Sequence, residues 1–397
     1  MLRFDQAPPF SVPLRFFLTA PAFAFLAALV ALRQGPALFE SRWSPAALAI
    51  THLLTLGVLG MVMLGAMLQI LPVLAGAPVA RPRAVAFAVH AGLALGTLAL
   101  AAGFLTAEPA LMALAMGLLG FAFAVFLSAL AWALWRVRVV SATVAALRLA
   151  GIALAVTVLL GLWLAAGRSG FGAMPAPALR DLHPAWGLLG WAGMLIAAVA
   201  AQVVPMFHMT PAYPKWMRWL PFAALGMLAA GWIAGPVGLY AGFAATTLWL
   251  HAKRRRRQPD VNFVFWRAAV VCSLAAALVW LATPYWGGQM LVGVLVIAGA
   301  LLSVVTAMLY KIVPFLAWLH LQARLGAQAP NVRQYLDERK QRRQLWLHLL
   351  AVALLAAAVT APQFFAYPAA ILFAASAVQL GSNLLSITLE YRKRAAS

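Results

Sequence analysis

Long, nearly unbroken apolar segments divide this chain, and no other feature limits its fold so strongly. Residues 46–74, 84–104, 109–135 and 288–318 are each long enough to cross the hydrocarbon core of a bilayer, which takes about 20 apolar residues in a helix. A backbone in lipid must satisfy its own polar groups, which leaves helices and closed barrels. Barrel strands would alternate apolar and polar residues, and these segments do not alternate. Only 9% of the 397 residues are charged, against about 25% in a soluble domain. The mean hydropathy is +0.93. The expectation is a single polytopic, all-α integral membrane domain spanning 1–397.

Twelve spans are predicted, at about 13–32, 46–74, 84–104, 109–135, 142–166, 183–207, 217–234, 236–252, 262–283, 288–318, 344–363 and 368–389. The net charge of +21 lies in short runs between them. Arg136 and Arg138, Lys215 and Arg218, residues 253–257, Arg324 to Arg343 and Arg392 to Arg394 fall on one side. The opposite loops are short and nearly uncharged. Such asymmetry marks the cytoplasmic side and puts both termini there. It also removes nucleic acid as a partner, since the cations are distributed by topology; the expected partner is the lipid of a bacterial-type inner membrane. The first apolar segment follows Arg3 and Arg15 and reads as a retained span rather than a cleaved signal. The lone Cys272 excludes an internal disulfide and any multi-cysteine metal site.

A pattern recurs within the second, sixth and tenth spans. Gly57, Gly190 and Gly299 are each followed twelve positions later by a polar residue (Gln69, Gln202, Lys311) and three after that by proline (Pro72, Pro205, Pro314). The copies share one direction across the membrane. They divide the chain into three four-helix quasi-repeats, about 1–138, 139–258 and 259–397. An inverted repeat would reverse direction between copies. The polar residues could line a vestibule or cap their own helix ends; the capping alternative is the simpler one.

Seven histidines supply the candidate chemistry. An ionisable group inside a span is a functional candidate by default. His52 is the deepest, on a helix with Gly57, Gly60 and Gly65, whose small size admits a flat macrocycle or another helix. His183 heads the sixth span beside Pro184 and Trp186, and His90 and His348 lie early in the third and eleventh. Each of these four reads as a ligand or as an interfacial residue bonded to a carbonyl. His208 and His320 read as interfacial, and His251 as a solvated flank of the basic run. The eight carboxylates avoid mid-membrane, which disfavours a proton pump or cation-coupled transporter. Glu108 and Asp181 read as helix-start residues, Arg148 and Arg267 as snorkelling cations, and the tryptophans, Trp186 included, as an interfacial belt.

The twelve-span, threefold architecture with a span-two histidine resembles the catalytic subunit of the haem–copper oxidases. In that superfamily such a histidine ligates a low-spin haem, which His52 matches, and His183-Pro184 looks like its copper-binding His-Pro. The histidines that family places in spans seven and ten have no counterpart in 216–234 or 288–300, so a conventional haem–copper centre is not expected. His52–Met67 (HLLTLGVLGMVMLGAM) and Gln202–Phe207 (QVVPMF) are similar to motifs of NnrS-type membrane proteins, a family linked to nitric-oxide stress. The His-x-His-x-Met element of that family is missing here. The resemblance implies a noncovalent haem b, with copper as a second cofactor and a respiratory-chain partner. His52 would be an axial ligand, with His183, His90 or His348 as the other. Copper would fall to His52 and His183. The alternative is a small-solute channel or permease without a redox cofactor.

Overall fold

The computed structural model describes residues 6–138, 141–255, 258–329 and 331–396. Arg3, Asp5, Arg256 and Arg257 lie outside the described residues. Among those described there is no strand. The helices are α1 (Ser11–Gln34), α2 (Pro45–Ala75), α3 (Pro82–Thr106), α4 (Pro109–Trp135), α5 (Ala142–Ser169) and α6 (Leu179–His208). They continue with α7 (Leu220–Ala229), α8 (Ala234–Ala252), α9 (Val261–Trp286), α10 (Gln289–Leu325), α11 (Glu338–Ala358) and α12 (Pro362–Ala396).

Nine helices among the described residues are long and apolar enough to cross a membrane. The predicted spans 217–234, 236–252 and 344–363 meet α7, α8 and α11, which do not qualify. The α7 segment is the clearest departure. A 3₁₀ turn at Lys215–Trp219 precedes it, and Gly231 at φ 74° follows it. Its ten α-helical residues rise about 15 Å, half a hydrocarbon core. In α11 the first turns carry Arg339, Lys340, Arg342 and Arg343. Large side chains such as Phe87, Leu159, Leu278 and Phe364 stand exposed along the apolar helices, the surface a bilayer would cover.

The chain forms two compact units. One is built on Leu68–Gln258. Its α3 lies along α4, and a Cβ at Gly92 or Gly96 would come within 2.9 Å of Ala122 or 2.8 Å of Leu119. Small residues let these two backbones approach closely, which is how helices associate without a hydrophobic drive between them. The other unit is built on Pro8–Met67 and Pro259–Ser397. There α12 packs on α11 and α1, and α9 on α10.

The three helices that hold the glycine–polar–proline pattern share a second feature. Each contains a π-helical segment: Thr55–Gly60 in α2, Ala185–Gly193 in α6 and Val294–Leu301 in α10. Gly57, Gly190 and Gly299 lie inside these segments. A π turn bonds i to i+5, widens the helix and tends to mark functional or strained positions. Each glycine also faces the helix before its own. A Cβ on Gly57 would collide with Phe23 of α1. One on Gly190 would lie 3.2 Å from Ala153 of α5, and one on Gly299 2.8 Å from Cys272 of α9.

The polar residue of the pattern does not cap its own helix. Gln202 Nε2 donates to Thr143 Oγ1 at 3.4 Å, and Lys311 Nζ pairs with Asp260 Oδ2 at 3.0 Å. Both partners stand where the preceding helix begins. Ser141 caps α5 by accepting from Val144 N–H, and Asp260 caps α9 by accepting from Phe263 N–H. Gln69 is buried, and its Oε1 has no hydrogen-bond partner among the described residues. The proline does not end the helix: α2 runs on to Ala75, α6 to His208 and α10 to Leu325.

Candidate functional site

Two of the π turns receive a side chain from a neighbouring helix on their backbone. The Tyr240 hydroxyl of α8 donates to the Leu189 carbonyl at 2.7 Å. The His348 ring of α11 bonds the Ala298 carbonyl. Leu189 and Ala298 each immediately precede the glycine of the pattern. A π turn shifts backbone pairing by one residue, and in these two turns a side chain serves the carbonyl at the shift.

This sorts the four candidate ligands. His52 Nδ1 lies 2.8 Å from the Leu48 carbonyl one turn earlier in α2. His183 Nδ1 lies 3.1 Å from the Thr157 carbonyl of α5. A carbonyl only accepts, so each ring donates through Nδ1 and carries its lone pair on Nε2. A ligating histidine is commonly held by such a bond, which fixes its tautomer and orientation. His348 is engaged differently. Its Nε2 sits 2.9 Å from Ser303 Oγ while the ring also serves Ala298, and it is 3% exposed. It is a core histidine with two protein partners. His90 is half-buried in α3. His52 and His348 belong to one compact unit, His90 and His183 to the other.

Two glycines near His52 are taken up by helix packing. Phe23 fills the space over Gly57, and Phe16 that over Gly65, each from α1. Among the described residues no group of three His, Cys, Asp or Glu side chains converges as a metal site. Haem needs only one or two axial ligands, so that observation does not bear on it.

The settings expected of His251, His208 and Trp186 are corrected. His251 is not a solvated flank: it is 4% exposed, and its Nε2 lies 3.0 Å from Nδ1 of His208, itself buried. His320 stacks on Phe10 with ring centroids 5.6 Å apart. Trp186 is buried within its unit rather than set in an interfacial belt, whereas Trp43, Trp163, Trp232 and Trp286 are exposed. Arg148 bonds the Leu134 carbonyl at 2.8 Å, closing the C-terminal turn of α4. Glu108 does stand at the N-cap position of α4.

Sequence reasoning missed a buried polar network in the second unit. Tyr310 of α10 donates to Gln344 Oε1 of α11 at 3.3 Å and accepts from Asn383 Nδ2 of α12 at 2.8 Å. Gln344 Nε2 reaches Ser376, and Gln379 Nε2 reaches Asn383 Oδ1. Tyr310, Gln344, Ser376 and Asn383 are all buried. Groups so thoroughly paired act as interhelical glue. The signal for them was periodicity: Gln379 and Asn383 are one turn apart, as are Gln344 and His348.

Comparison with known protein families found no matching family model, and comparison with characterised proteins found no match.

Proposed function

We propose that this chain is an integral membrane protein that binds haem b, with His52 as an axial ligand. The supporting observation is the Nδ1 contact to the Leu48 carbonyl, which sets the ring in the form that offers Nε2 to iron. His52 also stands just ahead of a π-helical segment, a frequent marker of function. His183 has the same Nδ1-to-carbonyl arrangement, also just ahead of a π turn, and is the next candidate. Haem, when bound, supplies one-electron chemistry and a site for a small diatomic ligand. The protein's part is to hold the imidazole and to surround the group with apolar side chains. A role in nitric-oxide or respiratory stress, or in cofactor handling, rests on the similarity of residues 52–67 and 202–207 to NnrS-type sequences. The full proposed topology is twelve helices in three quasi-repeats, with both termini cytoplasmic in an inner membrane. The shared π turns and glycine contacts support the repeat, as do the helix-start tethers of Gln202 and Lys311 in two of its copies.

The test is an absorption spectrum of the purified protein after growth with a haem precursor. A Soret band that disappears or shifts in His52→Ala supports the reading. A folded, colourless protein overturns it; solute flux into liposomes from that protein would establish the permease instead.

A further inference from the structure

Two histidines that the haem reading does not use are packed together within the Leu68–Gln258 unit. His208 is the last residue of α6, and His251 is in the last turn of α8. They are 2% and 4% exposed, with Nδ1 of one 3.0 Å from Nε2 of the other. Their rings meet edge-on, 68° apart with centroids at 5.0 Å, so the facing nitrogens point at each other rather than stacking.

The surroundings hold this arrangement. Met209, directly after His208, adopts φ 55°, and its carbonyl accepts from the Arg255 amide at 3.0 Å. The chain leaving α6 is thus fastened to the chain leaving α8. One turn before His251, Thr247 meets the Tyr213 hydroxyl at 2.8 Å, while the Tyr213 ring stacks on Phe243 at 5.8 Å. Burial holds the Tyr213 phenol above its usual range, so it stays neutral. These contacts tie together the ends of α6 and α8 on which the two rings stand.

Helix dipoles and the basic run at residues 253–257 act on the pair in opposite directions. Both histidines lie at helix C-termini, where carbonyl dipoles give a partial negative charge. Of that run, Lys253 places its Nζ 3.8 Å over the Trp249 ring. Two imidazoles bonded to one tetrahedral ion at about 2.0–2.1 Å put their nitrogens roughly 3.3 Å apart. The observed separation of 3.0 Å is a few tenths of an ångström short of that, and each ring must also turn by about 35° for its lone pair to meet a tetrahedral ion. A linear two-coordinate ion would need roughly 4 Å, a far larger movement.

We propose that His208 and His251 form a two-imidazole site for a tetrahedral divalent ion of the zinc class, with water or a small ligand completing its shell. The hydrogen now shared between the rings moves to the other nitrogen of its own ring. Each facing nitrogen then donates a lone pair, and a neutral pair releases no proton on binding. The site is independent of His52 and of any haem.

The experiment is titration of the full chain in detergent with Zn2+ against a competing chromophoric chelator, and with Co2+ alone. The expected result is one bound equivalent and tetrahedral Co2+ bands. Both are lost in His208→Ala and in His251→Ala and kept in His52→Ala. His251→Cys, which keeps a donor, should still bind Co2+ and add a thiolate charge-transfer band. Absence of binding by the wild type, or binding undiminished in both alanine variants, overturns the proposal. A pair that titrates as a shared-proton dimer without taking up metal overturns it as well.

Discussion

The Tyr240 hydroxyl donates to the Leu189 carbonyl at 2.7 Å, one residue before Gly190 and inside the π turn of α6. The ring reaches that carbonyl past a second glycine, since a Cβ at Gly193 would lie 2.7 Å from Tyr240 Cζ. Tyr240→Phe removes the donor and keeps the ring, leaving the Leu189 carbonyl one partner short. That should cost about 1–3 kcal/mol. Gly193→Ala should cost at least as much through overpacking, about 1–3 kcal/mol. Denaturation in mixed micelles measures both. A Tyr240→Phe protein as stable as wild type would show that the π turn does not depend on this bond.

The Lys311–Asp260 pair gives a different kind of prediction. Asp260 receives the Phe263 amide on one oxygen and Lys311 on the other. Asp260→Ala loses cap and pair together, and losing the cap alone costs about 0.5–2 kcal/mol. Asp260→Asn keeps the cap and removes only the charge. Lys311→Gln recreates the residue that Gln202 supplies in α6, where the partner is a hydroxyl. Asp260→Asn and Lys311→Gln should each cost less than about 1 kcal/mol, as expected for a partly exposed ion pair. A double-mutant cycle across the four proteins isolates the coupling. An Asp260→Ala effect no larger than that of Asp260→Asn would remove the cap from the account.

These two relationships show what the sequence could reveal. The membrane class was legible, because lipid leaves an apolar chain few ways to satisfy its backbone. The spacing from Gly57 to Pro72 and its two sisters was legible, because a close helix contact favours glycine at its first position. The π turns were not legible, since no residue type marks a shift from i+4 to i+5 pairing. The histidines looked alike in sequence. Which ring holds Nδ1 to a carbonyl, as His52 does, and which is enclosed, as His348 is, depends on atoms brought in by the fold. Nor could sequence join His208 to His251 across 43 positions. Nor does hydropathy register the break at Gly231 within the predicted span 217–234.

Gly57 and Gly242 separate packing from propensity. A Cβ on Gly57 has no room beside Phe23, whereas one on Gly242 meets nothing within 4 Å. Gly242 lies inside α8 without positive φ. Gly242→Ala should therefore be neutral or stabilising by up to about 1 kcal/mol, since alanine lowers the entropy of the unfolded chain. Gly57→Ala should destabilise by about 1–3 kcal/mol or force α1 to shift. Thermal melts of the two variants side by side are the measurement. Equal behaviour would mean that α1 yields freely, and the close approach at Gly57 would then explain nothing about the repeat.

His52 and His348 should respond in opposite ways. His348 is enclosed by Ser303, the Ala298 carbonyl and the Phe265 ring, 5.5 Å away. Replacing it with alanine opens a cavity and leaves Ser303 and Ala298 each short of a partner. Stability should fall by roughly 2–4 kcal/mol from the lost hydrogen bonds and packing. A haem held through His52 would keep its spectrum as long as the variant remains folded. His52 is half-buried, and its Nδ1 bond lies within its own helix. His52→Ala should therefore change stability little in protein prepared without haem, by less than about 1.5 kcal/mol, while abolishing or shifting the Soret band. Spectra and melts of the two variants, each with and without haem precursor in the growth medium, distinguish the roles. If His52→Ala lowered stability as much as His348→Ala and left the pigment unchanged, His52 would be a structural residue and the haem ligand would have to be sought elsewhere.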